Sequence, residues 1–430
     1  MLPEKGNVRH NFIMGVLNGA IFQFGVAFVD ATTVLPVFIK TFTSSDFIVG
    51  LVSSVRRSGW YLPQLPMAGY LEQRPYKMKY YLGGNAIRLG LVWLFIPILA
   101  RYGAEQPSVV LIAFLTIFTI SSLAGGIAGS PFTDIVGKTI PRRFRGPFYA
   151  VRVFLGAGLL SVLAGLVVQH VLGEGGYSYP TNYVVIFTLF ALFTTVGVAC
   201  FGFVKEPPGE VSKTSRTFRV VLREVPGILR QDPNFRRLLT TQVLSSGLGF
   251  SLPFYIVLAR EQFGVTAGTT GIFLAMQTVG ATLFNLVWGG VSAKYGNRKV
   301  IRLTMFAQAI IPLYALVLGI GLREMVLAST DWVVTVSFAP IFLLIGGVLS
   351  GYQVGFNSFL LDVSPESRRP TYVGISNTAM GCAGLFPALG GLVADLVHLQ
   401  GVFFVSAVAV CAAVITSGKL VEPREEETSL

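Results

Sequence analysis

Residues 69–79 read "GYLEQRPYKMK" and residues 289–299 read "GGVSAKYGNRK". Aligned, Gly69 meets Gly289, Arg74 meets Lys294 and Lys79 meets Lys299. A second pair, "PRRFRGPF" (141–148) and "PESRRPTY" (365–372), sets Pro141 against Pro365, Arg145 against Arg369 and Phe148 against Tyr372. A third joins Leu35-Pro36 to Leu252-Pro253. Three anchors at nearly one offset, about 220 residues, describe one unit written twice in parallel orientation.

Composition says what that unit is made of. Of the 430 residues, 53% are hydrophobic and 13% charged, and mean hydropathy is +0.66. A soluble domain carries about 25% charged residues. So little polar surface cannot cover a soluble globule, and the expected class is an all-α integral membrane protein. At about 20 apolar residues per crossing, the chain divides into twelve spans near 11–38, 47–70, 80–100, 108–132, 147–171, 182–203, 238–259, 268–292, 300–321, 333–360, 371–396 and 401–418. This predicts an N-terminal six-helix bundle (1–203), a linker (204–236) and a C-terminal six-helix bundle (237–430) with a short acidic tail. The net charge of +12 follows topology rather than a nucleic-acid partner. With the N-terminus inside, only Lys40, Arg101, Arg260 and Arg323 fall in outward loops, so both termini are expected in the cytoplasm of a cell with this protein in its inner or plasma membrane. No cleavable signal peptide is expected, because the first ten residues are polar and the next apolar run is too long.

The linker begins with Pro207, Pro208 and Gly209, which end the preceding helix. From Phe218, the residues Val221, Leu222, Val225 and Leu229 recur at helical spacing among Arg219, Arg223 and Arg230. That pattern predicts a basic amphipathic helix on the anionic inner leaflet, with a solvated linker helix as the alternative. Cys200, Cys382 and Cys411 lie in apolar segments, and His10, His170 and His398 are far apart. These spacings give no metal site and no cofactor.

At these loops the sequence resembles the major facilitator superfamily, over the whole chain. The family's loop signature, G-x-x-x-D-(R/K)-x-G-x-(R/K)-(R/K), occurs once per half. Here Ala293 and Gln73 stand at its acidic position, with Glu72 adjacent and Tyr76 at the second glycine. The run Asp30-Ala-Thr32-Thr-Val-Leu35-Pro36 is similar to the D-x-T-x-x-x-x-L-P pattern of family efflux pumps, two residues shorter. The antiporter signature is missing from span 5, and a partial version, Pro387-Ala-Leu-Gly390-Gly391, occurs in span 11. The resemblance implies that spans 1, 4, 7 and 10 line a central cavity, flanked by 2, 5, 8 and 11, with transport by rocking of one bundle against the other.

Charges inside the spans are the candidate site. Arg56 and Arg57 interrupt the otherwise small or apolar stretch "LVSSVRRSGWYLP" (51–63). Arg56 lies about ten residues into span 2, or roughly 15 Å, the middle of a roughly 30 Å core. Neither guanidinium can deprotonate or reach a headgroup. Adjacent helical positions point about 100° apart, so one arginine is expected on a structural partner, such as a helix-end carbonyl or carboxylate, and the other toward substrate or a gate. Asp30 is the one carboxylate deep in a span, on a predicted face with Gly19, Gln23 and Ala27. It reads as a proton-coupling group or as a static counter-ion. Arg88 and Arg152 read as braces, with Arg152 also a candidate inner gate. Arg74, Lys294, Arg145 and Arg369 are gating or structural residues of the loops. In the second half, Gln277, Asn285, Gln353 and Asn357 are candidate neutral binding groups, the last two sharing a face with Gly346 and Ser350. Thr241, Gln242 and Ser245 open span 7. Intramembrane amides and hydroxyls also serve as helix–helix glue.

The spans of the first half thus hold four cations and one anion, while those of the second are nearly uncharged apart from Asp395, near an outer end. A positive interior concentrates anions. The first functional reading is secondary active transport of a small organic anion by alternating access, with a proton as a candidate coupling ion. The second is a multidrug or amphiphile exporter; the third is a non-transporting assembly or pigment-handling factor of the same fold. No Walker A loop, H-E-x-x-H motif or Ser/His/Asp set at membrane depth supports an enzyme.

Overall fold

The computed structural model describes residues 5–71, 73–209, 218–321, 323–328, 330–365 and 368–422. Helices α1 (Lys5–Ala27), α2 (Val34–Lys40), α3 (Asp46–Tyr61) and α4 (Gln64–Leu71) lead into α5 (Met78–Tyr102) and α6 (Pro107–Thr139). Then come α7 (Arg142–Arg152), a π-wound segment (Val153–Leu160), α8 (Ser161–Leu172) and α9 (Thr181–Gly202). After α10 (Phe218–Gln231), the second half holds α11 (Pro233–Ser245), α12 (Leu248–Ser251), α13 (Phe254–Phe263), α14 (Thr269–Tyr295) and α15 (Asn297–Leu316). It closes with a π-wound turn (Val317–Gly321), α16 (Arg323–Leu327), α17 (Asp331–Val363), α18 (Arg369–Ala383), α19 (Phe386–Val397) and α20 (Leu399–Ser417).

Ten helical runs among the described residues are long and apolar enough to cross a membrane. The first two of the twelve expected spans are broken helices instead, α1/α2 and α3/α4. Pro63, which lacks an N–H, stands at the second break. Leu286, Leu396, Ile415 and Ile112 stand largely exposed on their helices. Such faces suit a lipid surround, where helices satisfy every backbone group internally.

Two compact units are present, and neither is a continuous half of the chain. One comprises Met1–Phe42, Val55–Phe218 and Thr270–Ala275; the other comprises Thr43–Ser54, Arg219–Thr269 and Met276–Leu430. The helices α3 and α14 are therefore each shared between units.

In the first unit, α2 is buried on all sides from Val34 to Ile39. Phe38 explains this, its ring lying 4.8 to 5.2 Å from the rings of Tyr183, Phe42, Phe187 and Phe114. One end of this unit is fastened by charge. The carboxylate of Glu206 accepts the N–H groups of Lys77 and Met78 at 2.8 Å each, at the start of α5. Lys138 bonds Glu206 at 2.9 Å, and Lys77 and Lys138 both pair with Asp134, at 2.7 and 3.1 Å. The second unit repeats the device: Glu422 accepts the Arg298 N–H at 2.8 Å, at the start of α15. A carboxylate at a helix N-terminus satisfies orphan donors and opposes the positive end of the dipole.

The amphipathic linker helix forms as α10, and the described part of its apolar face packs against protein. Ile228 is 4% exposed in a core cluster with Phe235, Leu238, Ile301 and Leu420, and Val225 and Leu229 pack against that cluster. This part of the apolar face is covered by protein. The side chains of residues 218–224, Arg219, Val221, Leu222 and Arg223 among them, lie outside the described residues, as does the acidic tail from residue 423.

Glu206→Gln should lower stability by about 2 kcal/mol, since it removes charge-assisted bonds from a side chain only 4% exposed. Glu105→Gln, breaking a pair with Arg101 in which both side chains are more than two-thirds exposed (69% and 68%), should leave the melting temperature of the purified protein unchanged.

Candidate functional site

The site begins at the break in the first span. α1 ends at Ala27, and the chain turns through Phe28 to Thr33 before α2 starts. The Asp30 side chain organises the turn: Oδ1 accepts the N–H of Thr32 at 2.8 Å and the N–H and Oγ1 of Thr33, both at 3.0 Å. The Asp30 carbonyl accepts the Leu35 N–H at 2.9 Å. Asp30 thus anchors an Asx-type turn that leads into α2, whose N-cap is Thr33. Because α1 has already ended, Asp30 is out of helical register with Gly19, Gln23 and Ala27. The expected common face does not form: Gln23 is exposed, Ala27 is buried, and the Gly19 and Gln23 positions pack against Gly156 of the π-wound segment.

The other side of the break carries orphan carbonyls. Nη1 of Arg56 donates to the carbonyl of Val29 at 2.7 Å, and Asp30 is close enough for its charge to act on Arg56. Between α1 and α2, a guanidinium thus takes a carbonyl of the turn while a carboxylate takes its N–H groups. Arg56 reaches that place because α3 packs tightly on α6 through Gly59 and Gly126; a Cβ on Gly126 would overlap the carbonyls of Gly59 and Trp60. Arg57 follows about 100° around the helix and is half-buried. Arg56 therefore has a backbone carbonyl of the turn as its partner.

Two further guanidinium groups lie in the same unit. Arg88 stands over the Phe22 ring at 5.1 Å and is near enough to Arg56 for their charges to interact. Arg152 stands over Phe132 at 4.6 Å and Phe148 at 5.3 Å. Gly19 admits it, since a Cβ there would collide with the guanidinium. Nη1 of Arg152 is buried without a hydrogen-bond partner. Tyr81, held by Asn18 at 3.3 Å, is within electrostatic reach of both Arg88 and Arg152. Among the described residues, neither Arg88 nor Arg152 has a carboxylate partner.

The remaining candidates are scattered. Arg74 lies over Tyr70 and Lys294 over Tyr295, each at 5.1 Å. Arg145 Nε bonds the Ile140 carbonyl at 3.0 Å, bracing the end of α6. The Arg369 side chain lies outside the described residues. In the second unit, Asn357 donates to Gln353 at 2.6 Å, and both are exposed. Gly346 does not share their surroundings; it packs on the Gln277 carbonyl. Gln277 is 9% exposed and Asn285 is half-buried. Thr241 bonds Thr416 at 3.0 Å, Gln242 accepts from Ser376 at 2.9 Å, and Ser245 donates to Gln308 at 3.2 Å. These three tie helices together. Sequence reading passed over Glu206 and Glu422, although each precedes a proline at the end of its half, in "VKEP" (204–207) and "LVEP" (420–423).

Comparison with known proteins agrees with this architecture. Residues 239–429 match the model of the Major Facilitator Superfamily. Multidrug resistance protein MdtG of Escherichia coli is 29% identical over 170 residues, and the match spans 38% of each chain. The fold matches a D-xylose–proton symporter (TM-score 0.69, 13% identity, 96% of this chain and 98% of that one). It also matches a POT family transporter in complex with 5-aminolevulinic acid (0.68, 14%, 95% and 96%) and the nucleoside transporter NupG (0.62, 13%, 96% and 98%).

Asp30→Ala should destabilise the protein by about 1–3 kcal/mol by leaving the N–H groups of Thr32 and Thr33 without their acceptor, and by more through Arg56. A double variant with Arg56→Met should cost less than the two single changes summed, by about 1 kcal/mol or more. Melting of the four proteins in one detergent measures this coupling.

Proposed function

We propose that this chain, a member of the major facilitator superfamily, is a secondary active transporter that moves a small organic anion by alternating access. The observation that carries the reading is the pair Arg88 and Arg152, held in the first unit on aromatic rings with no carboxylate partner among the described residues. Guanidinium groups stay charged. Unneutralised inside a membrane protein, they raise the local potential and favour an anion. Arg57, beside the stapled Arg56, is the proposed contact for the anionic group. Asp30 serves as the anchor of the turn and the counter-ion to Arg56 in this reading. The charge of the loops supports cytoplasmic termini in a cell or inner membrane.

Export of amphiphiles is the second reading, favoured by the partial match to a multidrug resistance protein. Flux into proteoliposomes holding a lumenal pH dye separates the two. Small carboxylates and phosphate esters should be carried, and lipophilic cations should not. Arg88→Gln and Arg152→Gln should each cut anion flux about tenfold or more in protein that still melts cooperatively. Movement of lipophilic cations alone, unaffected by either substitution, would replace the anion reading with the second.

A further inference from the structure

One turn beyond its two arginines, α3 ends on Trp60 and Tyr61, and α4 begins at Gln64. At about 100° per residue, Trp60 lies about 40° from Arg56 and about 60° from Arg57 around the helix. Tyr61, half-buried, borders Arg57 on its far side. Residues three and four apart are neighbours on a helix surface, so the indole shares the sector that holds the guanidinium groups. Arginines within a span face a bundle interior or an aqueous cavity. What stays open in their sector is therefore open to a solute rather than to acyl chains.

Trp60 does stay open: it is 43% exposed. Its position is nonetheless fixed by α6. The benzo edge of the indole is seated on Gly129, where a Cβ would come within 3.1 Å of Cη2 and 3.2 Å of Cζ2. The Trp60 carbonyl, at the end of α3, accepts the side-chain N–H of Gln64 at 2.8 Å, and the Gln64 carbonyl accepts Ser130 Oγ at 3.2 Å. Held by its edge with much of its surface uncovered, the indole is preorganised for stacking, because little freedom remains to be lost when a second ring settles on it. An indole face also attracts cations, but here the guanidinium groups one turn away repel them. Arg56 is engaged with the Val29 carbonyl, which leaves Arg57 as the neighbouring charge suited to an acid group.

We propose that Trp60 is a stacking platform for a ring of the transported anion, which makes the substrate class aromatic carboxylates. Charge and ring lie one helical turn apart, which suits a ring that bears its carboxylate directly or on a short arm. The proposal rests on the anion reading for its charge, while the ring preference belongs to the indole. Replacing Trp93, Trp288 and Trp332 by Phe leaves Trp60 as the one tryptophan of the chain. In proteoliposomes, 4-nitrobenzoate should then quench its fluorescence saturably. Benzoate should displace this quencher about threefold to tenfold more tightly than cyclohexanecarboxylate, the range expected of an aromatic pair beyond the area it buries. Gly129→Ala, which pushes the indole from its seat, should shrink that preference, and Arg57→Gln should weaken both acids about tenfold or more. Equal displacement by the two acids would overturn the platform and leave the anion reading standing. Quenching by brominated acyl chains, with none by 4-nitrobenzoate, would set Trp60 against lipid and overturn it too. Quenching by 4-nitrobenzyltrimethylammonium as strong as by 4-nitrobenzoate would retire the anion reading and leave the ring platform. Should the triple Phe background fail to fold, protection against melting by the two acids is compared in the chain with all four tryptophans. Benzoate should protect at about threefold to tenfold lower concentration, and Trp60→Leu should abolish that difference. A difference kept in Trp60→Leu, or no protection by either acid, would overturn the proposal.

Discussion

A helix interrupted at membrane depth exposes backbone donors and acceptors where no water can meet them. The turn from Phe28 to Thr33 is such an interruption, and much of the first unit is arranged around it. Its donors are taken by Asp30 and its Val29 carbonyl by Arg56. Each unsatisfied group would cost several kcal/mol in hydrocarbon. The arginine must come from a neighbouring helix, which fixes how closely α3 approaches, and the glycines Gly59 and Gly126 make that approach sterically possible. The aromatic cluster around Phe38 then holds α2 as a separate piece beyond the break.

The two units solve the problem of buried polarity differently. In the second, hydroxyls and amides close on one another: Gln242 with Ser376, Ser245 with Gln308, and Ser251 with both Tyr255 and Ser406. Paired neutral groups of this kind hold helices together and leave little field behind. In the first, Arg88 and Arg152 are held by ring faces, which attract a cation without cancelling its charge. This contrast within one duplicated fold underlies the proposed preference for anions. Acidic residues are used for fastening instead. Glu206, Glu422 and Asp395 each sit on a helix start, while the acidic positions of the loop signature are occupied by Gln73 and Ala293.

Much was legible in the sequence because hydropathy and repetition are local properties. The apolar runs define the spans, and the offset repeats define their duplication. A guanidinium placed inside a span requires a partner, and Arg56 has the Val29 carbonyl of the turn. What the sequence could not supply was register across a break. A helical period places Asp30 on a face with Gly19 and Gln23, but the helix stops at Ala27, and from there a side chain's direction follows the turn and not a period of 3.6 residues. The linker helix α10 was legible as amphipathic, yet whether its apolar face meets lipid or protein depends on the cluster around Phe235, assembled from residues far apart in the chain. The bonds of Asp46 and Phe47 to Asp395 join positions about 350 residues apart, and the capping of one helix by another is a matter of where their ends meet. Sequence by itself determined the membrane class, the two-fold repeat and the presence of buried charge, because each is carried by residue type and spacing. Only tertiary structure decided which charge neutralises which backbone end, because hydrogen bonds act over about 3 Å and only the folded chain brings those groups within that distance.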